Sequence, residues 1–195
     1  MPTTYDAPIE QLNRRAALSV ASAGLASLVV ACDGDDGDRQ DTTQTISPER
    51  KRGDAAVLES LLDLERTAVF AYGAGRPHLG GLAERFLHHE RAHARAIERA
   101  LADLGADPVP PRPQSAYAND FPPLRTREDA LRFALDVEET QIAAYGDSVP
   151  SLFTAELRVT LATILGVQGE HMAVLLGELD EPPSPREFLV GKPPE

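Results

Sequence analysis

The chain has 195 residues, of which 42% are hydrophobic and 26% are charged, and its formal net charge is −12. This length and composition are typical of a globular protein with one domain of ordinary size. The negative charge argues against nucleic acid as a partner, because nucleic-acid-binding proteins need clustered positive charge. The single cysteine, Cys32, excludes an intrachain disulfide.

The first 32 residues have the pattern of an export signal. Arg14 and Arg15 precede an uncharged apolar stretch, residues 16–31. As a helix this stretch would span about 24 Å, less than the roughly 30 Å hydrocarbon core of a membrane. A charged start followed by a short apolar run and small residues is typical of a cleaved secretory signal. The arginine pair resembles a twin-arginine signal.

The apolar stretch ends in the sequence VVAC, residues 29–32, which resembles a lipobox. In that interpretation, cleavage leaves Cys32 as a lipidated N-terminus. We therefore expect an exported protein, anchored to a membrane through Cys32, on the extracytoplasmic face of the cell membrane or in the periplasm. An ordinary cleaved signal and a short membrane anchor are the alternatives, and in both of them Cys32 has no special role.

Residues 33–53 are polar, strongly charged and nearly free of apolar side chains. Such a segment cannot bury enough surface to offset the entropy lost when it is ordered. We predict a disordered acidic tether, which as a flexible coil would reach roughly 25 Å.

The apolar residues of segment 54–181 follow helical spacing and predict an all-α domain. Asp54 is a candidate N-cap of the first helix, and Gly73 and Gly75 are expected to end that helix. The segment after the domain, residues 182–195, is predicted to be a Pro-rich tail. The four predicted helices cover residues 54–72, 82–104, 127–145 and 152–179.

A Pro-rich segment, residues 106–123, separates the second predicted helix from the third and is expected to be an extended crossover without a helix. Thr126, with Asp129 three residues later, predicts a capping box at the start of the third helix. Short links within each helix pair and a long crossover between the pairs predict an antiparallel four-helix bundle of the ferritin-like connectivity. A bundle with short loops throughout is the competing arrangement.

An internal repeat singles out two glutamates. The segment DLERTAVFAY, residues 63–72, aligns with DVEETQIAAY, residues 136–145. In both segments the glutamate, Glu65 or Glu138, shares the apolar helix face with a tyrosine seven residues later. Because an unpaired buried carboxylate is costly, two at equivalent positions predict a common partner at the bundle centre. Alternatively, each glutamate reaches the surface or pairs with an arginine.

The second predicted helix carries Glu90 and His93, whose spacing places them on one face. The order Glu65, Glu90-x-x-His93, Glu138 resembles the ferritin and rubrerythrin superfamily over about residues 54–179. The resemblance implies a ferritin-like bundle that holds two iron or manganese ions between four helices. It also implies that these four residues are ligands, with Glu138 and one other carboxylate bridging the two ions.

The fourth helix matches this pattern only in part. His171 stands in the expected place, but Gln168 replaces the glutamate three residues earlier. Glu170 lies about 200° around the helix from position 168 and would need a π-bulge to take its place. Since three carboxylates neutralise two divalent ions incompletely, we expect two Fe or Mn ions if the site is intact, and one if Gln168 disables the second position.

The remaining candidates near the site are other histidines and the two tyrosines. His89 could support the ligands, but a position on the surface is the favoured interpretation, and His78 is expected in an exposed loop. Tyr72 and Tyr145 either hydrogen-bond the paired glutamates or pack in the core; the sequence does not distinguish the two.

The sequence thus predicts an exported, membrane-tethered ferritin-like protein. Its metal site would oxidise iron or handle peroxide or oxygen, so that an enzymatic role would be that of a dimetal oxidoreductase. The alternative is a non-enzymatic envelope bundle, a scaffold or binding module whose ancestral metal site has decayed. The tether argues against a closed storage shell, so monomers or homodimers are expected. No protein partner is predicted.

Overall fold

The computed structural model describes residues 46–119 and 121–184, which belong to the unit Gln44–Glu195. The predicted signal with Cys32, the tether up to residue 45 and the tail from residue 185 lie outside the described residues. The described residues form helices and no β-strand. The helices are α1 (Pro48–Leu79), α2 (Gly81–Asp103), α3 (Gln114–Asn119), α4 (Arg127–Ser148), a 3-10 turn (Val149–Ser151) and α5 (Ala155–Glu178).

The four long helices form an antiparallel bundle. Helix α1 packs along α2, α4 packs along α5, and the two pairs meet mainly through α1 and α4. Gly80, whose φ of 55° is readily adopted by glycine, makes the tight turn from α1 to α2. The predicted all-α bundle with a long crossover between the helix pairs is therefore confirmed.

Helix α1 begins earlier than the sequence predicts. Ser47 is its N-cap and accepts a hydrogen bond from the Arg50 backbone N–H (3.4 Å), while Pro48 lies in the first turn. A serine cap and an early proline favour a helix start even where apolar residues are scarce. The Arg50 guanidinium also lies over the Phe153 ring. The prediction that the tether extends to residue 53 is therefore wrong for residues 48–53.

Asp54 is not the N-cap of α1. It is fully buried within that helix and accepts hydrogen bonds from the backbone N–H groups of Phe153 (2.8 Å) and Thr154 (3.0 Å). Thr154 is the N-cap of α5, and its own side chain makes no capping bond. Asp54, on α1, therefore accepts hydrogen bonds from backbone N–H groups at the start of α5. The dipole of α5 also favours a carboxylate at that end of the helix.

Helix α1 also ends later than predicted, at Leu79 instead of Tyr72. It continues through Gly73 and Gly75 because the apolar stripe continues: Tyr72, Gly75 and Leu79 are all buried. Pro77 is tolerated because it lies in the last turn, where only one backbone hydrogen bond is lost. Packing against α2 thus outweighs the low helix propensity of the two glycines.

The crossover contains a short helix that the sequence does not predict. The stretch after Pro113 is free of proline, and there α3 forms around Tyr117, which is fully buried and stacks on Phe70 at a centroid distance of 4.4 Å. The Arg112 side chain donates to Asp63 Oδ1 (3.1 Å) and lies over the Tyr117 ring. The prediction of a crossover without a helix is wrong because this aromatic contact anchors the segment to α1.

The bounds of α4 and α5, the second helix pair, are close to those that the sequence predicts. Thr126 and Asp129 form the predicted capping box at the start of α4, and the 3-10 turn leads into α5. By length and composition alone, α5 is apolar enough to cross a membrane, with a mean hydropathy of 1.4. It nevertheless carries buried Gln168 and His171 and packs along α4 as a bundle helix.

The core has two apolar clusters with polar residues between them. One cluster includes Leu58, Leu61, Leu62, Ile97, Leu101 and Leu161. The other includes Ala68, Tyr72, Phe86, Leu131, Ala134 and Leu175. Apart from Asp54, the buried polar residues of each long helix lie in sequence between the positions that supply the two clusters.

Candidate metal centre

Seven polar residues from the four long helices meet between the two apolar clusters, and none of them is more than 9% exposed. We call them the polar layer: Glu65 from α1, Glu90 and His93 from α2, Glu138 and Gln141 from α4, and Gln168 and His171 from α5. The structure therefore brings together all six residues that the sequence singles out, and adds Gln141.

The polar layer contains two groups that could hold a metal ion, Glu65–Glu90–His93 and Glu90–Glu138–His171. Within each group the potential ligand atoms lie within 4.8 Å of one another. Glu90 belongs to both groups, whereas Glu138 belongs to one. In the structure the Glu90 carboxylate lies between the two histidines, and the expectation that Glu138 and one other carboxylate bridge the two ions stays a prediction.

Both histidines present Nδ1 to the carboxylates. His171 Nδ1 lies 3.2 Å from Glu90 Oε1 and 3.3 Å from Glu138 Oε1. His93 Nδ1 lies 3.5 Å from Glu65 Oε2 and 3.7 Å from Glu90 Oε2. Each group thus combines one imidazole nitrogen with two carboxylates, a donor set that suits first-row divalent metals.

Gln168 takes the place of a fourth carboxylate. Its amide nitrogen lies 3.4 Å from Glu90 Oε2 and 3.5 Å from Glu65 Oε1, both long for a hydrogen bond. Helix α5 is regular α-helix through this region, and Glu170 is exposed. The π-bulge that would bring Glu170 inward is therefore absent from α5, and the site has three carboxylates.

Gln141 is a member of the polar layer that the sequence analysis missed. It is 1% exposed, and its amide nitrogen donates to Glu90 Oε2 at 3.2 Å. A signal was present, because Gln141 follows Glu138 at the same three-residue spacing that separates Glu90 from His93.

The two repeat tyrosines hydrogen-bond across the bundle in a crossed pattern. Tyr72 of α1 donates to Glu138 of α4, and Tyr145 of α4 donates to Glu65 of α1. Burial raises the pKa of both phenols well above the usual value, so they remain protonated donors. Hydrogen bonding to the paired glutamates is thus the correct alternative for these tyrosines, and they also pack in the core clusters.

The protonation states of the polar layer follow from burial and pairing. Burial raises the pKa of Glu65 to about 8 and that of Glu138 to about 7. Burial opposes the charged form of Glu90 as well, but contacts with His171 and His93 outweigh it and hold the Glu90 pKa below its usual range. Burial lowers the pKa of His93 and His171, yet their carboxylate neighbours raise both to about 9.

The donors of the polar layer fit a metal ion. Buried atoms without a hydrogen-bond partner include Oε2 of Glu65 and Glu138, Oε1 of Glu90, and the amide oxygens of Gln141 and Gln168. Buried polar atoms are normally hydrogen-bonded, so five such oxygens in one layer, two of which have only a histidine nitrogen at 3.2–3.5 Å, fit a bound cation. Carboxylate, amide and imidazole donors suit first-row divalent metals such as iron, manganese or zinc, and do not choose among them.

Two further histidines differ from their predicted positions. His89 is half-buried, not surface-exposed, and its Nδ1 lies 2.9 Å from His171 Nε2. Burial and the neighbouring His171 lower the pKa of His89. His78 lies in the last turn of α1 instead of a loop, and its Nε2 lies 3.0 Å from the Leu124 carbonyl oxygen.

Comparisons with known proteins agree with this geometry. Residues 53–181 match the model of the Ferritin-like domain. The fold is similar to the crystal structure of a conserved hypothetical protein, rv2844, from Mycobacterium tuberculosis, with a TM-score of 0.58 and 19% identity. That match covers 65% of this chain and 97% of the other. Among curated proteins, none matches the sequence significantly. The chain belongs to the Ferritin-like domain family.

Proposed function

We propose that this protein binds two iron or manganese ions in the polar layer and acts as an oxidoreductase that oxidises Fe(II) or consumes peroxide or oxygen. The observation that carries the proposal is the pair of buried ligand groups that share Glu90. One group would hold an ion with Glu65 and His93, and the other would hold an ion with Glu138 and His171. The metal ions would supply redox chemistry that protein side chains lack.

The protein's own contribution is to fix the ligands and to keep the site dry. The crossed tyrosine bonds hold one oxygen each of Glu138 and Glu65, which leaves the other oxygen of each carboxylate free to bind. The apolar clusters on both sides of the polar layer exclude water, which strengthens electrostatic interactions between ligands and cations. Because three carboxylates carry less charge than two divalent cations, an anion such as peroxide is a suitable additional ligand.

The proposal is tested with the full chain, stripped of metal and reloaded with Fe(II) without oxygen. After oxygen or hydrogen peroxide is added, absorbance follows Fe(III), and electrodes follow oxygen or peroxide. Glu90→Gln should slow oxidation at least about tenfold, because both ion positions lose their shared ligand. Glu170→Gln makes the same change at an exposed position of α5 and should match the parent. Equal rates for both variants would refute the proposal.

A specific observation favours the second candidate, a non-enzymatic bundle with a decayed site. The amide groups of Gln141 and Gln168 approach Glu90, and the two histidines pair with carboxylates, so several site groups contact one another directly. A protein of this kind would oxidise no iron and would bind no metal, yet its metal-free form would be fully stable.

We further propose that the protein is exported and anchored to a membrane through lipidated Cys32. The support is the arginine pair at 14–15, the apolar stretch and the VVAC sequence. In this arrangement the bundle would act outside the cytoplasm, close to the membrane surface. We also propose that the anchored bundle is a monomer or a homodimer. Sedimentation of the detergent-solubilised protein would distinguish the two.

A further inference from the structure

His89 contacts the side of His171 that faces away from the carboxylates. His171 Nδ1 faces Glu90 and Glu138, and its Nε2 lies 2.9 Å from His89 Nδ1. The two rings are nearly parallel, with an interplanar angle of 13° and a centroid distance of 5.1 Å. The His171 ring also stacks on the Phe86 ring, at a centroid distance of 3.9 Å. The orientation of His171 is thus fixed by two rings and by a hydrogen bond at each of its nitrogens.

The hydrogen bond also fits one tautomer of His171 when its Nδ1 binds a metal ion. A neutral imidazole has one N–H, and a nitrogen that binds a metal must offer its lone pair. If Nδ1 of His171 is the ligand, its proton resides on Nε2 and is donated to His89 Nδ1. His89 then carries its own proton on Nε2. An outer partner of this kind raises the basicity of a metal-binding histidine.

His93, the histidine of the other group, has no equivalent support. Its Nδ1 faces Glu65 and Glu90 at longer distances, 3.5 and 3.7 Å. Among the described residues, no side chain hydrogen-bonds its Nε2. The amide of Gln168 lies near Glu65 and Glu90, the two carboxylates of this group. Because Glu90 is shared, only the contact of Gln168 with Glu65 is specific to this group; together with the missing outer partner, it favours weaker metal binding at the His93 position.

We propose that His89 is a positioning residue that makes Glu90–Glu138–His171 the tighter of the two metal positions. The inference rests on the proposed function, since it needs two bound ions. It adds the order in which the two positions take up metal: the first ion binds at the His171 position, and the second binds at the His93 position.

Two substitutions of His89 separate its hydrogen bond from its ring. His89→Phe keeps an aromatic ring against His171 but removes the acceptor nitrogen. His89→Asn removes the ring but keeps an acceptor, because Oδ1 of asparagine and Nδ1 of histidine are attached to the same carbon position. His88→Phe is the matched control, because His88 is the exposed neighbour of His89.

The measurement is a titration of the metal-free full chain with Co(II), whose visible absorption reports its ligands. The parent should bind in two steps, and the tighter step should be the one that His171→Ala abolishes. His89→Phe should weaken that step by about tenfold or more, the size expected for loss of an outer partner. His89→Asn should stay within about threefold of the parent, and His88→Phe should match the parent.

Several outcomes would overturn the inference. The tighter step could be the one that His93→Ala abolishes, or His89→Phe could leave both steps unchanged. Equal weakening by His89→Phe and His89→Asn would assign the effect to ring packing instead of the hydrogen bond. A parent that binds no Co(II) would refute the proposed function and this inference together, whereas two ions unaffected by His89→Phe would refute the inference alone.

Discussion

At Glu90, the two oxygens of one carboxylate face ligand groups on opposite sides. Oε1 lies 3.2 Å from His171 Nδ1, and Oε2 lies 3.7 Å from His93 Nδ1. Oε2 also accepts from the Gln141 amide. No other carboxylate of the polar layer belongs to both ligand groups. Glu90 therefore connects the two candidate ligand groups, and in the proposed two-ion site the nearby Gln168 would determine how strongly the second ion is held.

Replacing Gln168 with glutamate should have opposite effects on the metal-free and metal-bound protein. The amide of Gln168 lies close to the carboxylates of Glu65 and Glu90, so a fourth carboxylate there adds repulsion in a buried place. We expect Gln168→Glu to reduce the free energy of unfolding of the metal-free protein by roughly 1–3 kcal/mol. It should also tighten binding of the second ion.

Chemical denaturation with and without Mn(II) measures both effects of Gln168→Glu. The control is Gln114→Glu, the same change at an exposed position of α3. A Gln168→Glu variant that is as stable as the parent without metal, and binds Mn(II) no better, would contradict this role for position 168.

Metal affinity should rise steeply with pH. The raised pKa values of Glu65 (about 8) and of His93 and His171 (about 9) mean that these groups are mostly protonated at neutral pH, and Glu138, with a pKa of about 7, is about half protonated. Ligands bind metals in the deprotonated form, so binding must release protons, and affinity increases until pH exceeds these pKa values.

Calorimetry of Mn(II) binding in buffers of different ionisation enthalpy measures the protons released. Between pH 6 and pH 8 we expect more than about one proton per ion. Binding that releases no protons and is independent of pH would show that the ion is held elsewhere.

Among the helices, the ends of α1 and the crossover show where sequence reasoning succeeds and fails. The periodicity of apolar residues identifies all four long helices, because each helix buries an apolar stripe that recurs in the sequence with the 3.6-residue period. It misplaces the ends of α1, where Ser47 and Pro48 start the helix and Leu79 extends it past two glycines. It also misses α3, because the burial of Tyr117 against Phe70 depends on a contact distant in sequence.

The contact from Asp54 to the start of α5 predicts a stability effect that joins two helices. Asp54→Ala leaves the backbone N–H groups of Phe153 and Thr154 without their acceptor. Hydrogen bonds to a charged group contribute more than neutral ones, so the free energy of unfolding should fall by roughly 1.5–3 kcal/mol.

Urea denaturation measures the free energy of unfolding of Asp54→Ala. Asp107→Ala is the control, since Asp107 is exposed in the crossover. Asp107→Ala should change stability by less than about 0.5 kcal/mol. If the two variants are equally stable, Asp54 does not anchor the start of α5.

Across the whole molecule, the sequence predicts most of the polar layer. The Glu-x-x-His spacing and the repeat identify residues on all four long helices, because ligand geometry requires fixed positions on a helix face. The sequence analysis does not predict Gln141, because its counterpart in the repeat is Ala68 and the comparison of the repeats gives no polar residue at that position. The contact of His89 with His171 escapes because it depends on how closely α2 approaches α5.

The whole chain should be found in the membrane fraction, provided that Cys32 is lipidated. Cys32→Ser should keep the unprocessed mass and carry no lipid, because cleavage and lipid attachment at the VVAC sequence need the thiol. Fractionation with immunodetection, and mass spectrometry of the N-terminal peptide, measure the change. If the parent itself keeps the unprocessed mass and carries no lipid on Cys32, an uncleaved apolar anchor is the correct alternative.

The most direct test of the two-ion site is the metal content of the full chain after loading with Fe(II) or Mn(II) and desalting. We expect about two ions for the parent and about one for Glu65→Ala/His93→Ala, since the shared Glu90 still serves the His171 position. The exposed pair Glu170→Ala/His88→Ala should retain about two. A parent without bound metal, or a site variant that binds as much as the parent, would contradict the two-ion site.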